Sequence, residues 1–364
     1  MTTIQRIQLA WNEGRADAPP AVPVNRPVII TAVALLLVAT FGGESFWWLP
    51  VFPLFVIAGV VMLVTAPIDL WLSQTTLIAW VMFGAVAISA VANTQVIEYA
   101  VVKLVVGWVV IGAMITAQRL KPATIESAFF WAARIWPVVC AVLFLIGYHR
   151  NVLGAVCVVF GAFVVAQRRW LLVAIYGALL VWLMSRASIM GMAVAVMLGY
   201  GIPAVWWISL LAAVPLLVAI RPGSFLIRFE FWAEGLQLFS QSPWFGMGPG
   251  GFLKYDSARA LVELAERQIE LAQSGWFTSY PVKPYYQMHQ HNVIMQIAVE
   301  YGAVGLIGAA VVAGWLVYRW QSFELWQKTI IAGALVAGLY DCPFFWPGVL
   351  VLVAVASAVD YERR

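Results

Sequence analysis

The side chains of this chain whose types suit one another chemically are a histidine and two arginines. His291, in His289-Gln-His291-Asn292, stands at the head of an apolar run; Arg186 lies in Met184-Ser-Arg186-Ala-Ser188, and Arg228 opens Arg228-Phe-Glu-Phe-Trp232. A histidine can move a proton, and an arginine fork suits phosphate oxygens better than an ammonium does. Each also has a plainer reading. Arg186 at a helix end either snorkels to lipid headgroups or binds an anion. Arg228 either rests among headgroups on an interfacial helix or holds a phosphate, and His291 is either a polar end-cap or a proton-transfer group.

Arg228 and His291 bound most of a polar stretch, Arg221 to Asn292, the one sizeable water-facing segment of the sequence. A helix is expected over 226–239, with Leu226, Phe229, Leu236 and Phe239 facing the membrane surface or the helix bundle. The following Ser242-Pro-Trp-Phe-Gly246-Met-Gly248-Pro-Gly250-Gly is glycine-rich but has no Lys-Ser/Thr after it, so it is no nucleotide loop. It reads as a tight turn that folds the stretch back over the bundle. Residues 257–273 pattern as a surface helix with a Glu263–Arg267 pair. The run Trp276, Phe277, Tyr280, Tyr285 and Tyr286 suits an interfacial belt or a platform for sugar rings. His289 lies one position off the face that carries His291.

The elements that must position these residues are membrane helices. Of the 364 residues 63% are apolar and only 10% charged, which excludes an ordinary soluble domain. The apolar runs are continuous rather than alternating, which excludes a barrel. The expected fold is an all-α integral membrane protein of about twelve transmembrane helices, with one large periplasmic loop containing short helices between helices 9 and 10. Spans are placed at 28–42, 48–66, 74–92, 96–117, 127–148, 152–167, 170–184, 188–201, 204–220, 292–318, 328–340 and 344–359. The corresponding division is a cytoplasmic tail over 1–26, helices 1–9 over 27–220, the loop over 221–291, and helices 10–12 with a short tail over 292–364. The N-terminal segment lacks the pattern of a cleavable signal, so the first helix is expected to remain a span.

Sidedness follows from the basic residues. With the N-terminus inside, Arg119, Lys121, Arg168, Arg169, Arg319, Lys328, Arg363 and Arg364 fall in cytoplasmic turns, and the 221–291 stretch falls outside. Both termini are then cytoplasmic. Charges within spans are suspects for function. Lys103 is placed to reach a buried phosphate from beneath, Arg221 is a reserve for the role of Arg228, and Glu126 and Arg134 are expected to pair with each other or with the interface. Cys140, Cys157 and Cys342 have no metal-ligand spacing and read as core residues. The five aspartates, Asp17, Asp69, Asp256, Asp341 and Asp360, form no Asp-x-Asp.

Taken in order, Ser185-Arg186-Ala187 after a span, Arg228-x-x-x-Trp232 followed by Pro243 and Gly246-Met-Gly248, and His291-Asn292 leading to Glu300-Tyr-Gly302 resemble the O-antigen ligase and polymerase superfamily, most strongly over 170–318. The resemblance implies a bacterial inner-membrane glycosyltransferase, acting on the periplasmic side, that takes its glycan from an undecaprenyl-diphosphate carrier. It maps the donor diphosphate to Arg186 and Arg228, and catalysis to His291 as general base or orienter of the acceptor hydroxyl. Tyr285, Trp232 and His289 are candidates for acceptor or sugar contacts. No metal, cofactor or nucleic acid is expected; the partners are the lipid-linked donor, a lipid A-core or glycan acceptor, and membrane lipids. A lipid A-core acceptor makes a ligase, another lipid-linked glycan a polymerase, and a protein acceptor an oligosaccharyltransferase. A transporter predicts inverted repeats and a charged path, and no repeat is visible between the halves.

Overall fold

The computed structural model describes residues 25–41, 67–93, 97–203, 223–252, 291–341 and 347–361, and among them the regular structure is helical. In chain order the helices are α1 (Arg26–Phe41), α2 (Ile68–Trp71), α3 (Gln74–Asn93), α4 (Ile97–Arg119), α5 (Pro122–Leu145), α6 (Arg150–Ala166), α7 (Trp170–Leu183), α8 (Arg186–Gly199), α9 (Gly223–Gln241), α10 (Val293–Arg319), α11 (Leu325–Tyr340) and α12 (Pro347–Ala358). In hydrocarbon a helix satisfies every backbone group within its own segment, so long apolar runs have no other open structure to adopt. Among the described residues four helices, α3, most of α4, α5 and α10, are long and apolar enough to cross a bilayer, and six shorter apolar helices accompany them. The expected spans at 48–66 and 204–220, and the expected helix at 257–273, lie outside the described residues.

The boundaries follow local chemistry. Expected at 127, α5 begins instead at Pro122, where proline at the first helical position follows an extended Lys121. Hydropathy marks the part of a helix that meets lipid and misses its polar first turns. A capping box between Glu324 and Gln327 starts α11. At the centre of the bundle is α6, buried on all sides from Val152 to Val165, as a helix apolar all round must be. Its Cys140-facing side places the Sγ atoms of Cys140 and Cys157 3.7 Å apart, both thiols free and in the core as expected.

Small residues set the approach of α8 to α11. A Cβ on Gly333 would lie 3.0 Å from the Gly191 carbonyl oxygen, so the two backbones touch. Gly191 faces Gly333 and Ala337 while Gly199 faces Thr329, which makes the pair antiparallel. Gly154 at the start of α6 packs on Ser185 and Ser188. The first turns of α6 and α8 and the last turn of α11 therefore share one end of the bundle. Glu126 accepts hydrogen bonds from Gln167 Nε2 (2.8 Å) and Tyr361 Oη (3.2 Å) at the other end. Glu126 and Arg134 were expected to pair with each other or with the interface, and of these the mutual pair does not form: Arg134 lies over the Phe130 and Trp131 rings.

Candidate functional site

His291 meets an acid that the sequence did not single out. Its Nδ1 is 3.0 Å from Oδ1 of Asp341, the residue that ends α11, and the two side chains are 16% and 6% exposed. A carboxylate only accepts hydrogen bonds, so with Asp341 ionised and His291 neutral the proton sits on Nδ1 and Nε2 is left as a base. The pair is held firmly. The Asn292 side chain caps α10 by accepting from the Ile294 and Met295 amides (2.9 and 3.1 Å), and its Nδ2 donates to the Leu339 carbonyl (3.0 Å). One residue thus starts α10 and ties it to the end of α11. His291 itself adopts a left-handed backbone (φ 50°), uncommon for residues other than glycine though less so for Asn, Asp and His.

Arg186 is the first residue of α8, after a left-handed Met184 and an extended Ser185. Because α8 and α11 run antiparallel in the register set by Gly191 and Gly333, the head of α8 reaches the level of the Asp341 end of α11. A guanidinium at a helix N-terminus adds its charge to the positive end of the helix dipole, a combination that favours an anion.

The described part of the polar stretch, residues 223–252, packs into the bundle. Phe231 of α9 packs near His291, ring centroids 6.2 Å apart, while Leu238 and Phe252 bury against Val299 of α10. Those two contacts, seven and eight residues apart on their helices, make α9 parallel to α10. Its buried stripe is Phe231, Gly235 and Leu238; Phe229 and Leu236, expected to face the membrane surface or the bundle, are 49% and 59% exposed and so do not face the bundle. Fixed beside His291, Phe231 puts half-buried Arg228 one turn further out on the same helix, with Trp232 next to it.

At the foot of α9 the glycine-rich turn plugs a break in α10. Gly302 has φ 62° and ψ −155°, which interrupts the helix inside its apolar run. The carbonyls of Pro243 and Trp244 accept from the Ala303 and Val304 amides (2.7 and 3.1 Å), and the Met247 and Gly248 amides donate to the Val299 and Glu300 carbonyls (2.7 and 3.0 Å). The turn thus replaces the hydrogen bonds that the break removes, which makes irregular backbone tolerable at membrane depth. Two residues of α3 complete the seal. Ser89 Oγ lies 2.6 Å from the Phe245 carbonyl and 2.8 Å from that of Glu300, and Asn93 Nδ2 donates to Ser242 Oγ (3.0 Å) and the Gly246 carbonyl (2.8 Å). Buried Glu300 accepts from the Gly250 amide (3.1 Å) and feels the charge of Lys103. Substituting Ser89→Ala is expected to cost about 1–2 kcal/mol by leaving a buried carbonyl short of a donor, read as a lower apparent melting temperature of the purified protein; no change would mean the plug does not depend on α3.

The structure therefore packs Phe231 near His291 on the helix that carries Arg228 and Trp232, sets Arg186 at the same end, and lets Lys103 act on Glu300. Arg221, Tyr285 and His289 lie outside the described residues. Asp341, Ser89 and Asn93 are the residues that sequence reasoning passed over; for Asp341 the available signal was an acid at the end of an apolar run, in the same end of the bundle as His291.

No curated protein matches the chain. Residues 135–310 match the family model described as O-Antigen ligase, a segment that takes in Arg186, Arg228, the glycine turn, His291 and the Gly302 break but not Lys103 or Asp341. That match agrees with the resemblance read from the ordered motifs: residues 135–310 of this membrane-embedded helical chain carry a domain similar to the O-antigen ligase family.

Proposed function

We propose that the protein is a metal-independent glycosyltransferase of the ligase type, which moves a glycan from undecaprenyl diphosphate to a lipid A-core acceptor at the periplasmic face of the inner membrane. The observation that carries the reading is the His291–Asp341 pair, with Phe231 of the Arg228 helix packed near it and the head of α8 at the same bundle end. The acceptor hydroxyl attacks the anomeric carbon and its proton passes to His291 Nε2, while Asp341 holds the imidazole through Nδ1 and steadies the imidazolium. The bond from that carbon to the diphosphate breaks, and the leaving group takes both electrons. Arg186 and Arg228 supply the positive charge that the departing diphosphate needs. Trp232, one turn along from Arg228, is a candidate for sugar contact.

The outward face is inferred from charge. Arg119, the Arg168–Arg169 turn and Arg319 fall at the ends of α4, α6 and α10 remote from His291, as the positive-inside bias requires of a cytoplasmic side. Deleting the gene in its host and resolving surface and lipid-linked glycans by gel and mass spectrometry tests the reading. Loss of attached polymer, with long glycan left on the carrier, is the expected result. Collapse to single attached repeats would make the protein a polymerase, and unchanged pools would sink both.

The roles of the arginines differ from those of generic cations. Arg228→Lys keeps the charge and loses the planar fork, so transfer is expected to fall about tenfold at unchanged protein level. Near-normal transfer in a membrane assay with defined donor would remove Arg228 from the diphosphate site.

A further inference from the structure

The end of the bundle opposite His291 carries a second cluster of arginines. Arg134 is twelve residues into α5, on an exposed strip shared with Ile135 and Val138, and so belongs to no connecting turn. Its guanidinium lies back over the rings of Phe130 (4.2 Å to the centroid) and Trp131 (5.3 Å), one turn nearer the helix start. The guanidinium of Arg169, at the head of α7, reaches the same Phe130 ring at 5.6 Å. Arg168, left-handed at φ 53°, acts electrostatically on Tyr200, whose ring stacks on Trp170 at 4.3 Å.

Three positive charges thus gather around aromatic rings with no ion pair to any carboxylate among the described residues. Glu126, one turn before Phe130, is taken up by Gln167 and Tyr361. Two buried polar atoms here, Arg169 Nε and Tyr200 Oη, have no hydrogen-bond partner among the described residues. Like charges crowded at the edge of a low-dielectric phase repel and are costly to desolvate, and the cost falls when an anion sits between them. A topological signal needs arginines in turns; it does not need Arg134 inside a helix, bent back to the level of Arg169.

We propose that Arg134, Arg168 and Arg169 form a binding site for the phosphate of an anionic phospholipid headgroup, with the acyl chains along the Ile135–Val138 strip of α5. The forks of two arginines present donors in the geometry that phosphate oxygens accept, and the apolar strip beside them distinguishes a lipid from a free anion. The site lies away from His291 and does not depend on the transfer reaction.

The test uses the purified, delipidated full chain in detergent, titrated with phosphatidylglycerol, with phosphatidylcholine of the same acyl chains, or with inorganic phosphate, and followed by native mass spectrometry and melting temperature. Phosphatidylglycerol is expected to stay bound and to raise Tm by several degrees more than phosphatidylcholine, with inorganic phosphate inert. The double substitution Arg134→Gln with Arg169→Gln is expected to abolish that difference, and the Lys,Lys pair, which keeps charge without forks, to reduce it. Equal shifts from both lipids, a phosphatidylglycerol preference that survives in the Gln,Gln protein, or an equal shift from inorganic phosphate would overturn the proposal. Should the Gln,Gln protein fail to fold, the Lys,Lys pair decides: a full wild-type preference in it overturns the site.

Discussion

His291→Ala is expected to abolish glycan transfer, by about a thousandfold, without loss of folded protein. General-base catalysis contributes about 10²–10⁴-fold when the base is positioned, and here both the backbone and the Nδ1 partner position it: the left-handed residue, the Asn292 cap and the Asp341 carboxylate at 3.0 Å. Asp341→Asn separates chemistry from scaffold. The amide keeps the size of the carboxylate but loses its charge and can turn its NH₂ toward the ring, favouring the tautomer with Nε2 protonated. A loss on the order of 10²-fold is expected, chiefly in the rate at saturating donor and acceptor. The measurement is transfer in membranes supplied with lipid-linked glycan, set against protein level by size-exclusion profile. A His291→Ala protein that still transfers at a tenth of the wild-type rate would reduce His291 to an end-cap. An Asp341→Asn protein at full rate would make the carboxylate incidental.

What the sequence showed and what it hid divide along a physical line. Helices were legible because lipid imposes length and hydropathy on them: α3 was expected at 74–92 and runs Gln74–Asn93, and the head of α10 was expected at the loop junction where Asn292 caps it. Candidate residues were legible where a polar side chain interrupts an apolar context, as His291 and Arg186 do. Asp341 was not, because its contact with His291 depends on where α11 ends relative to α10, a tertiary fact that an acid at the end of an apolar run does not by itself reveal. The course of α9 was hidden for a related reason. Its composition, with Phe and Trp among Arg, Glu and Gln, suits an interfacial helix as well as one packed lengthwise on α10, and only the contacts of Phe231 and Leu238 decide between them. Hydropathy also averages across Gly302, so α10 reads as one unbroken span.

That break gives the second large effect. Gly302→Ala is expected to remove folded protein. The backbone at φ 62°, ψ −155° is open to glycine and costs other residues about 1–3 kcal/mol. A Cβ there would stand 2.5 Å from the Gly246 nitrogen and 2.6 Å from the Trp244 carbonyl oxygen, both main chain and neither able to swing aside. Relief requires the turn to withdraw, which frees the Pro243, Trp244, Val299 and Glu300 carbonyls together with their amide donors, each left unsatisfied at about 1–3 kcal/mol. The sum is comparable with the whole stability of a typical domain. Gly84→Ala is the control, since a Cβ on that helical glycine meets nothing within 4 Å and alanine is the better helix former. Yield and the melting temperature of the detergent-extracted protein compare the two, and a Gly302→Ala protein as stable as Gly84→Ala would mean that α10 closes without the turn. The break also has a place in the chemistry. Anchoring the foot of α9 in α10 fixes the register of the two parallel helices, and that register holds Phe231 against His291 and Arg228 one turn beyond it. A substitution that loosens the plug without unfolding the chain should therefore lower transfer through Arg228 and His291, although it lies about three helical turns from His291 and about four from Arg228.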